Sequence, residues 1–349
     1  MIAFLTKRLM HALLVMFIIS VIAFAIQDNL GDPIQQMVGQ SVPESEREAL
    51  REQFGLNDPF HVQYLRFAGN ALSGDFGTSY FYREPALEVI ARHLPATLEL
   101  VFGATLLIVL LSVPIGVYSA IKPRAWISRF FMGASIIGIS IPVFLTAILL
   151  IQVFSIGITV SLFPESTAWG AWLNGLLSTD GGMPSFGRGQ DLVPVIGHWE
   201  TNLASLGGLT HLVLPSVALA SIMLPLFIRL IRAEMMEVLQ SEYVKFARAK
   251  GIGVRRIYFV HALKNTMLPV ITVGGVQIGT MVAYTILTET VFQWPGMGLM
   301  FLDAINRADI PLIVAYLMIV GVIFVVTNTL VDLIYGLVNP TVKLTGKPA

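Results

Sequence analysis

Six stretches of this chain are each long and apolar enough to cross a lipid bilayer, and nothing else in the sequence narrows its fold so sharply. A helix rises about 1.5 Å per residue and satisfies its own backbone hydrogen bonds, so about 20 predominantly apolar residues cross a hydrocarbon core. The segments run from about Leu9 to Ile26, Thr97 to Ala120, Phe130 to Ile156, Leu212 to Leu230, Met267 to Leu287 and Leu312 to Tyr335. Pro142, Pro215, Pro225 and Pro269 fall in or beside them and predict kinks or span ends rather than breaks. Only 13% of the 349 residues are charged, against about 25% in a typical soluble domain, so the apolar surface needs lipid to cover it. The expected fold is an all-α integral membrane protein: an N-terminal transmembrane helix over 1–27, an external helical segment over 28–94, and a transmembrane core over 95–349.

Orientation follows from the basic residues, which concentrate in cytoplasmic loops. Lys7, Arg8, Lys122, Arg124, Arg129, the eight Lys and Arg between Arg229 and Lys264, and Lys343 and Lys347 put fifteen of the 22 basic residues on one side. Both termini are therefore expected in the cytoplasm. Lys7-Arg8 before an apolar run ending Ala23-Phe24-Ala25 has the outline of a cleavable signal, but the run is longer than a usual signal core, and the segment is read as a retained span. Formal net charge is zero, which gives no electrostatic pull toward nucleic acid. There is no cysteine, the six histidines are scattered, and neither H-E-x-x-H nor the phosphate-cradling G-x-x-x-x-G-K-[ST] pattern occurs. No catalytic or metal residue is assigned, and ATP hydrolysis is not expected on this chain.

The external segment has room for short helices. Ser41-Val42-Pro43-Glu44 has the form of a capping box and Gly55 of a stop, while Asp58-Pro59 is a plausible cap and first turn for a helix ending near Ser73-Gly74. A second external segment, about Thr159 to Thr210, is rich in Gly, Ser and Pro and is expected to be irregular.

The stretch between the fourth and fifth spans, within 234–265, carries the most information. Its sequence reads as helix, glycine turn, helix, with Gly251 and Gly253 where the chain must turn sharply. Phe246, Ala247, Tyr258 and Phe259 are placed to face a partner, among Arg248, Lys250, Arg255 and Arg256. By spacing alone, an amphipathic loop lying on anionic lipid accounts for it equally well. However, Ala247-Arg248-Ala249-Lys250-Gly251, followed by nine residues and His261-Ala262-Leu263-Lys264-Asn265, resembles the cytoplasmic EAA signature of ABC-importer permeases in its peptide and nickel version. Lys245 and Phe246 replace the general pattern's Glu and first Ala, whereas Ala247 and Gly251 match it. Leu94-Pro95-Ala96-Thr97-Leu98-Glu99-Leu100, Ser140-Ile141-Pro142-Val143-Phe144, His211-Leu212-Val213-Leu214-Pro215 and Glu289 to Gly298 extend the resemblance over nearly the whole chain. The tail from Asp332 to Pro340 is similar to the family's ending, with Asn339 where Asp is usual.

The resemblance implies a permease subunit of a bacterial inner-membrane importer for di- and oligopeptides. It implies as partners a second homologous permease, two ATP-binding subunits holding ATP and Mg, and a periplasmic substrate-binding protein. It assigns Tyr243, Phe246, Ala247, Arg248, Ala249, Lys250, Gly251, Gly253 and His261 to coupling with the ATPase. Ionisable residues near membrane depth, Glu99, Glu289 and Asp332, default to functional hypotheses, although an interfacial or capping carboxylate is the simpler reading for each. Glu289 with Trp294, Pro295 and Gly296 is expected to shape the external gate where the binding protein docks, and Trp199 and Trp294 to anchor at the interface. Ala247→Asp is expected to uncouple hydrolysis from uptake while sparing insertion. An ion-coupled secondary transporter would need paired acids and bases deep in the spans, and an intramembrane enzyme an activated nucleophile; the span interiors offer almost none. Nickel, glutathione, opines and oligosaccharides remain alternative cargoes.

Overall fold

The apolar segments form helices that pack side by side, because in lipid only a helix can satisfy every backbone group within one segment. The computed structural model describes residues 2–26, 34, 43–53, 57–158, 164, 167, 169, 174, 178–190, 192–196 and 199–338. In chain order the elements are α1 (Ile2–Ile26), α2 (Glu44–Gln53), α3 (Phe60–Leu72), α4 (Ala86–Ile121), α5 (Trp126–Ser140) and α6 (Val143–Leu150), the last continued by a wider π turn over Ile151–Ile156. A two-stranded antiparallel hairpin, β1 (Val193–Ile196) and β2 (Trp199–Thr201), precedes α7 (Leu206–Gln240) and α8 (Glu242–Ala249). Then come α9 (Val254–Phe292), with a π turn at Ile257–Ala262, α10 (Met297–Asn306) and α11 (Ile310–Val338).

Helices α4, α7, α9 and the Ile310–Val331 part of α11 are long and apolar enough to cross a membrane, and α1 carries a shorter apolar stretch, Met10–Ala25. The expected third span is not one helix: α5 and α6 meet at 109°. Pro142 lacks the N–H that the helix ladder requires, and its ring drives Ile141 to φ −91° and ψ 121°, outside the helical region. Counted as one crossing, the bent pair makes a fifth candidate span among the described residues, where the sequence predicts six; α1, with its shorter apolar stretch, is outside that count. Pro95, Pro114, Pro215, Pro225 and Pro269, by contrast, lie inside helices. Helix α4 begins at Ala86, well before Thr97, and α7 continues beyond Leu230 to Gln240.

Outside the spans, α2 starts at Glu44 directly after Pro43; Ser41, Val42 and Gly55 lie outside the described residues. The expected cap at Asp58 is corrected: Pro59 takes the cap position with no side-chain hydrogen bond, and the Asp58 carboxylate pairs with Arg66 at 2.6 Å. The helix ends at Leu72, with Ser73 as its C-terminal cap. The second external segment, expected to be irregular throughout, contains the β1–β2 hairpin.

The main core lies between α4 and α7. Ala96, Leu100, Ala104 and Ile108 meet Leu212, Leu219, Met223, Phe227 and Ile231, and Met281 and Val282 of α9 complete the cluster. Helix α11 closes against α9 at very short range. A Cβ on Gly275 would overlap the Val331 side chain, and one on Gly279 the Phe324 ring, so these positions let backbone meet side chain, as small residues do in membrane bundles. Gly275→Val is therefore expected to destabilise the bundle by about 1–3 kcal/mol through overpacking. Thermal melts in detergent should register the loss, and adding Val331→Ala should recover part of it.

Candidate functional site

The basic connection folds into a tight corner between α8 and α9. Gly251 takes φ +73°, Ile252 N–H donates to the Ala247 carbonyl at 3.2 Å, and Gly251 N–H donates to the Arg248 carbonyl at 2.9 Å. This pair of bonds is a Schellman ending, which needs a left-handed residue after the helix and is easiest for glycine. Inside the corner Val244, Ala247 and Ile257 are buried together, with Ile252 and Tyr258 against them. Asn265 Nδ2 donates to the Tyr243 hydroxyl at 2.7 Å, and that hydroxyl reaches the His261 carbonyl at 3.5 Å, tying α8 to the start of α9. The outward face is apolar at its centre: Phe246, Val254 and Phe259 are each about 60% exposed. Lys250 Nζ sits 4.6 Å from the Phe246 ring centroid, and Arg248, Arg255 and Arg256 are exposed around it.

This geometry sorts the expected coupling residues. Tyr243, Phe246, Arg248, Ala249, Lys250, Gly251 and Gly253 are on the surface. The expectation that Ala247 faces a partner is corrected, since it packs inward on the Val244 side of α8; Tyr258 is half-buried. Residues three apart share a helix face, so Val244 and Ala247 point in together while Tyr243 and Phe246 point out. His261 is half-buried, and its Nε2 has no hydrogen-bond partner among the described residues.

At the far end of α9 stands Glu289, fully buried. Its Oε1 accepts the Thr97 hydroxyl at 2.7 Å, and its Oε2 accepts Gly298 N–H at 2.7 Å and Leu299 N–H at 3.0 Å. Thr97 Oγ1 in turn accepts Met297 N–H at 2.8 Å. The carboxylate thus satisfies the unpaired donors at the start of α10 and meets the positive end of its dipole. Its own carbonyl accepts Trp294 N–H at 2.8 Å, closing α9 through Gln293 at φ +48°. The Trp294 ring is fully buried, with Nε1 donating to the Ala96 carbonyl at 2.9 Å. Any Cβ on Gly296 would strike the Glu289 carboxyl group. Glu289, Trp294 and Gly296 are therefore not outward contacts, and Trp294 is not an interfacial anchor; only Pro295 of this set is exposed. Glu289, Trp294 and Gly296 come together as an internal clasp of α4, α9 and α10.

Two further clasps lie beyond sequence reasoning. Arg188 Nη2 from the second external segment donates to Glu99 Oε2 at 2.6 Å and to the Glu200 carbonyl at 2.8 Å, with both side chains buried. Asp309, at the start of α11, accepts the Ser79 hydroxyl at 2.5 Å and Phe81 N–H at 3.2 Å. Nearby, burial first and the Asp309 charge second push the Tyr80 phenol up to about 12. A charged residue in an external segment was the one visible signal for Arg188, and nothing local marks Glu99 as its partner. The Asp332 side chain lies outside the described residues.

Comparison with known proteins adds an independent line. Residues 112–344 match the family described as binding-protein-dependent transport system inner membrane component, and residues 1–101 match that family's N-terminal component. The dipeptide transport system permease protein DppB of Alkalihalophilus pseudofirmus is 32% identical, over 98% of this chain and 100% of its own length. The di/tripeptide transport system permease protein DppB of Pseudomonas aeruginosa is 34% identical, over 98% of this chain and 99% of its own. The glutathione transport system permease protein GsiC of Salmonella paratyphi A is 30% identical over 98% and 99%.

Two substitutions separate the packed inside of the corner from its outer face. Ala247→Asp puts a carboxylate among Val244 and Ile257 and should melt the corner, giving much faster tryptic cleavage at Arg248, Lys250, Arg255 and Arg256. Phe246→Ala should leave that cleavage rate unchanged. At the other end, Glu289→Ala leaves three donors unpaired in a dry site and should cost about 3 kcal/mol or more in detergent melts. Glu289→Gln, which keeps an acceptor oxygen, should cost less.

Proposed function

The chain belongs to the family of binding-protein-dependent transport system inner membrane components, and from that premise we propose that it is the peptide-translocating permease subunit of an ATP-binding-cassette importer. In this reading it pairs with a second homologous permease, receives peptide from a periplasmic binding protein, and is driven by two separate subunits that hold ATP and Mg. Peptide is the favoured cargo because relatives named for dipeptide and di/tripeptide transport align along their full length; the relative named for glutathione keeps that alternative open.

The observation that carries the proposal is the corner before α9. Exposed aromatic and aliphatic side chains lie there at the centre of a basic rim, the arrangement of a desolvating anchor in a polar surround. Helix α9 then runs 39 residues from that corner to the Glu289 clasp, roughly 58 Å of rise, enough to cross the bilayer and project from it. A displacement imposed at the corner thereby biases the packing of α4, α9 and α10 at the external end, which is what alternating access requires of this subunit. Bond making and breaking are left to the ATP-holding subunits. The ion-coupled alternative finds less support: among the described residues the buried carboxylates Glu99, Glu289 and Asp309 all lie toward the external ends of helices.

In proteoliposomes of the assembled transporter, Phe246→Ala should lower ATP-driven uptake of a labelled dipeptide by at least about tenfold, the loss of one buried aromatic anchor of 2 kcal/mol or so, with the chain still inserted. Undiminished uptake would overturn the docking role of the corner. Uptake driven by an ion gradient through this chain alone would overturn the importer reading.

A further inference from the structure

Helix α3 buries none of its residues, yet its surface divides into three sectors. With successive residues 100° apart, Tyr64, Phe67 and Ala71 share one sector, Val62, Leu65 and Leu72 the next, and Arg66 and Asn70 the third. The first sector is occupied. Phe24 of α1 packs against the rings of Phe60, Tyr64 and Phe67 at centroid distances of 5.3, 5.8 and 5.5 Å, and the Tyr64 hydroxyl is hydrogen-bonded to Ser20 Oγ at 2.8 Å. The third sector is polar, with Arg66 paired to Asp58. The second is open and mainly apolar: Val62, Leu65 and Leu72 are 37%, 67% and 92% exposed, and the exposed His61 lies at its edge beside Leu72.

The contacts with α1 set the depth of α3. Ser20 lies six residues before the external end of α1 at Ile26, about 9 Å down the helix axis. Phe17, a turn deeper still, also meets the Tyr64 ring, at 6.3 Å. At that level α1 itself exposes Ile18 and Ile22, each about half accessible. Helix α3 is thus held at the height of apolar side chains that a spanning helix exposes, and its open face points away from that helix. A helix with an apolar side, a polar side and this depth matches the position of interfacial helices, some 5–10 Å into the headgroup and acyl boundary.

We propose that α3 is a membrane-lying helix of the external leaflet, in which Val62, Leu65 and Leu72 are covered by lipid acyl chains while Arg66 and Asn70 face water. Its aromatic sector would then clamp the external end of α1 at a fixed height, giving the N-terminal span a brace within the outer leaflet in addition to its packing on α11.

This chain has no cysteine, so single-cysteine spin labelling reads this on the chain purified with accompanying subunits whose own cysteines have been replaced. Leu65→Cys, Leu72→Cys and Asn70→Cys would each carry a nitroxide in vesicles of phosphatidylethanolamine and phosphatidylglycerol, with relaxation by oxygen and by a water-soluble nickel chelate compared. The labels at 65 and 72 should show an oxygen-to-nickel accessibility ratio about fivefold or more above the label at 70, as lipid exposure demands. A ratio at 65 and 72 equal to that at 70 would place the face in water and overturn the proposal. Low accessibility to both reagents would mean that protein covers the face, and would overturn it equally. Because Leu72 is almost fully exposed, its variant reads the same face if Leu65→Cys does not accumulate.

Discussion

The half of the bundle opposite the α8–α9 corner depends on one buried carboxyl group. Glu289 has no access to solvent, and a carboxyl group in such a place is tolerable only when nearly all its hydrogen-bonding capacity is met. Its oxygens meet a hydroxyl from α4 and two backbone donors at the start of α10, while its own carbonyl helps to end α9. Four local choices follow from that single requirement. Thr97 must stand opposite, Gly296 and Gly298 must carry no side chain, Gln293 must adopt a left-handed conformation, and Trp294 must fold inward onto Ala96. A left-handed non-glycine residue costs on the order of 1 kcal/mol, a small fraction of what leaving the donors unpaired would cost.

The two ends of the bundle are held by different forces. At the end opposite the α8–α9 corner, Glu99, Glu289 and Asp309 bind segments distant in sequence through buried hydrogen bonds, which are short and directional. At the α8–α9 corner the fastening is a three-residue apolar cluster, a glycine ending and one tyrosine bridge. Between them α9 passes through a π turn at Ile257–Ala262 and Pro269, both of which interrupt the regular helix ladder near the corner. Beyond those interruptions Gly275 and Gly279 lock α9 onto α11. A load applied at the corner therefore meets a compliant stretch first and a close-packed pair of helices next.

Much of this was legible in residue order. The corner at Gly251 was visible because a glycine between two amphipathic stretches has few other uses, and its outward Phe246 stood among basic residues. The inward turn of Ala247 was not visible: the motif placed it in the right helix, but which face the helix presents depends on Ile257 arriving from the next element. Pro142 was recognisable as a site of bending, yet the 109° between α5 and α6 belongs to how each half packs on α7. Trp294 looked like an interfacial anchor because tryptophan usually is one; its burial follows from the Ala96 carbonyl lying within reach.

The sequence by itself determined the solvent of this protein, the approximate position of its apolar helices and the polarity of its loops, because transfer of a side chain into lipid depends mainly on that side chain and its near neighbours and adds up along the chain. Only the tertiary structure decided which charges are spent on architecture. Glu99 and Arg188 are 89 residues apart, Thr97 and Glu289 192, Ser79 and Asp309 230. Bonds across such separations form only where packing has already excluded water and aligned donor with acceptor, so no local pattern encodes them.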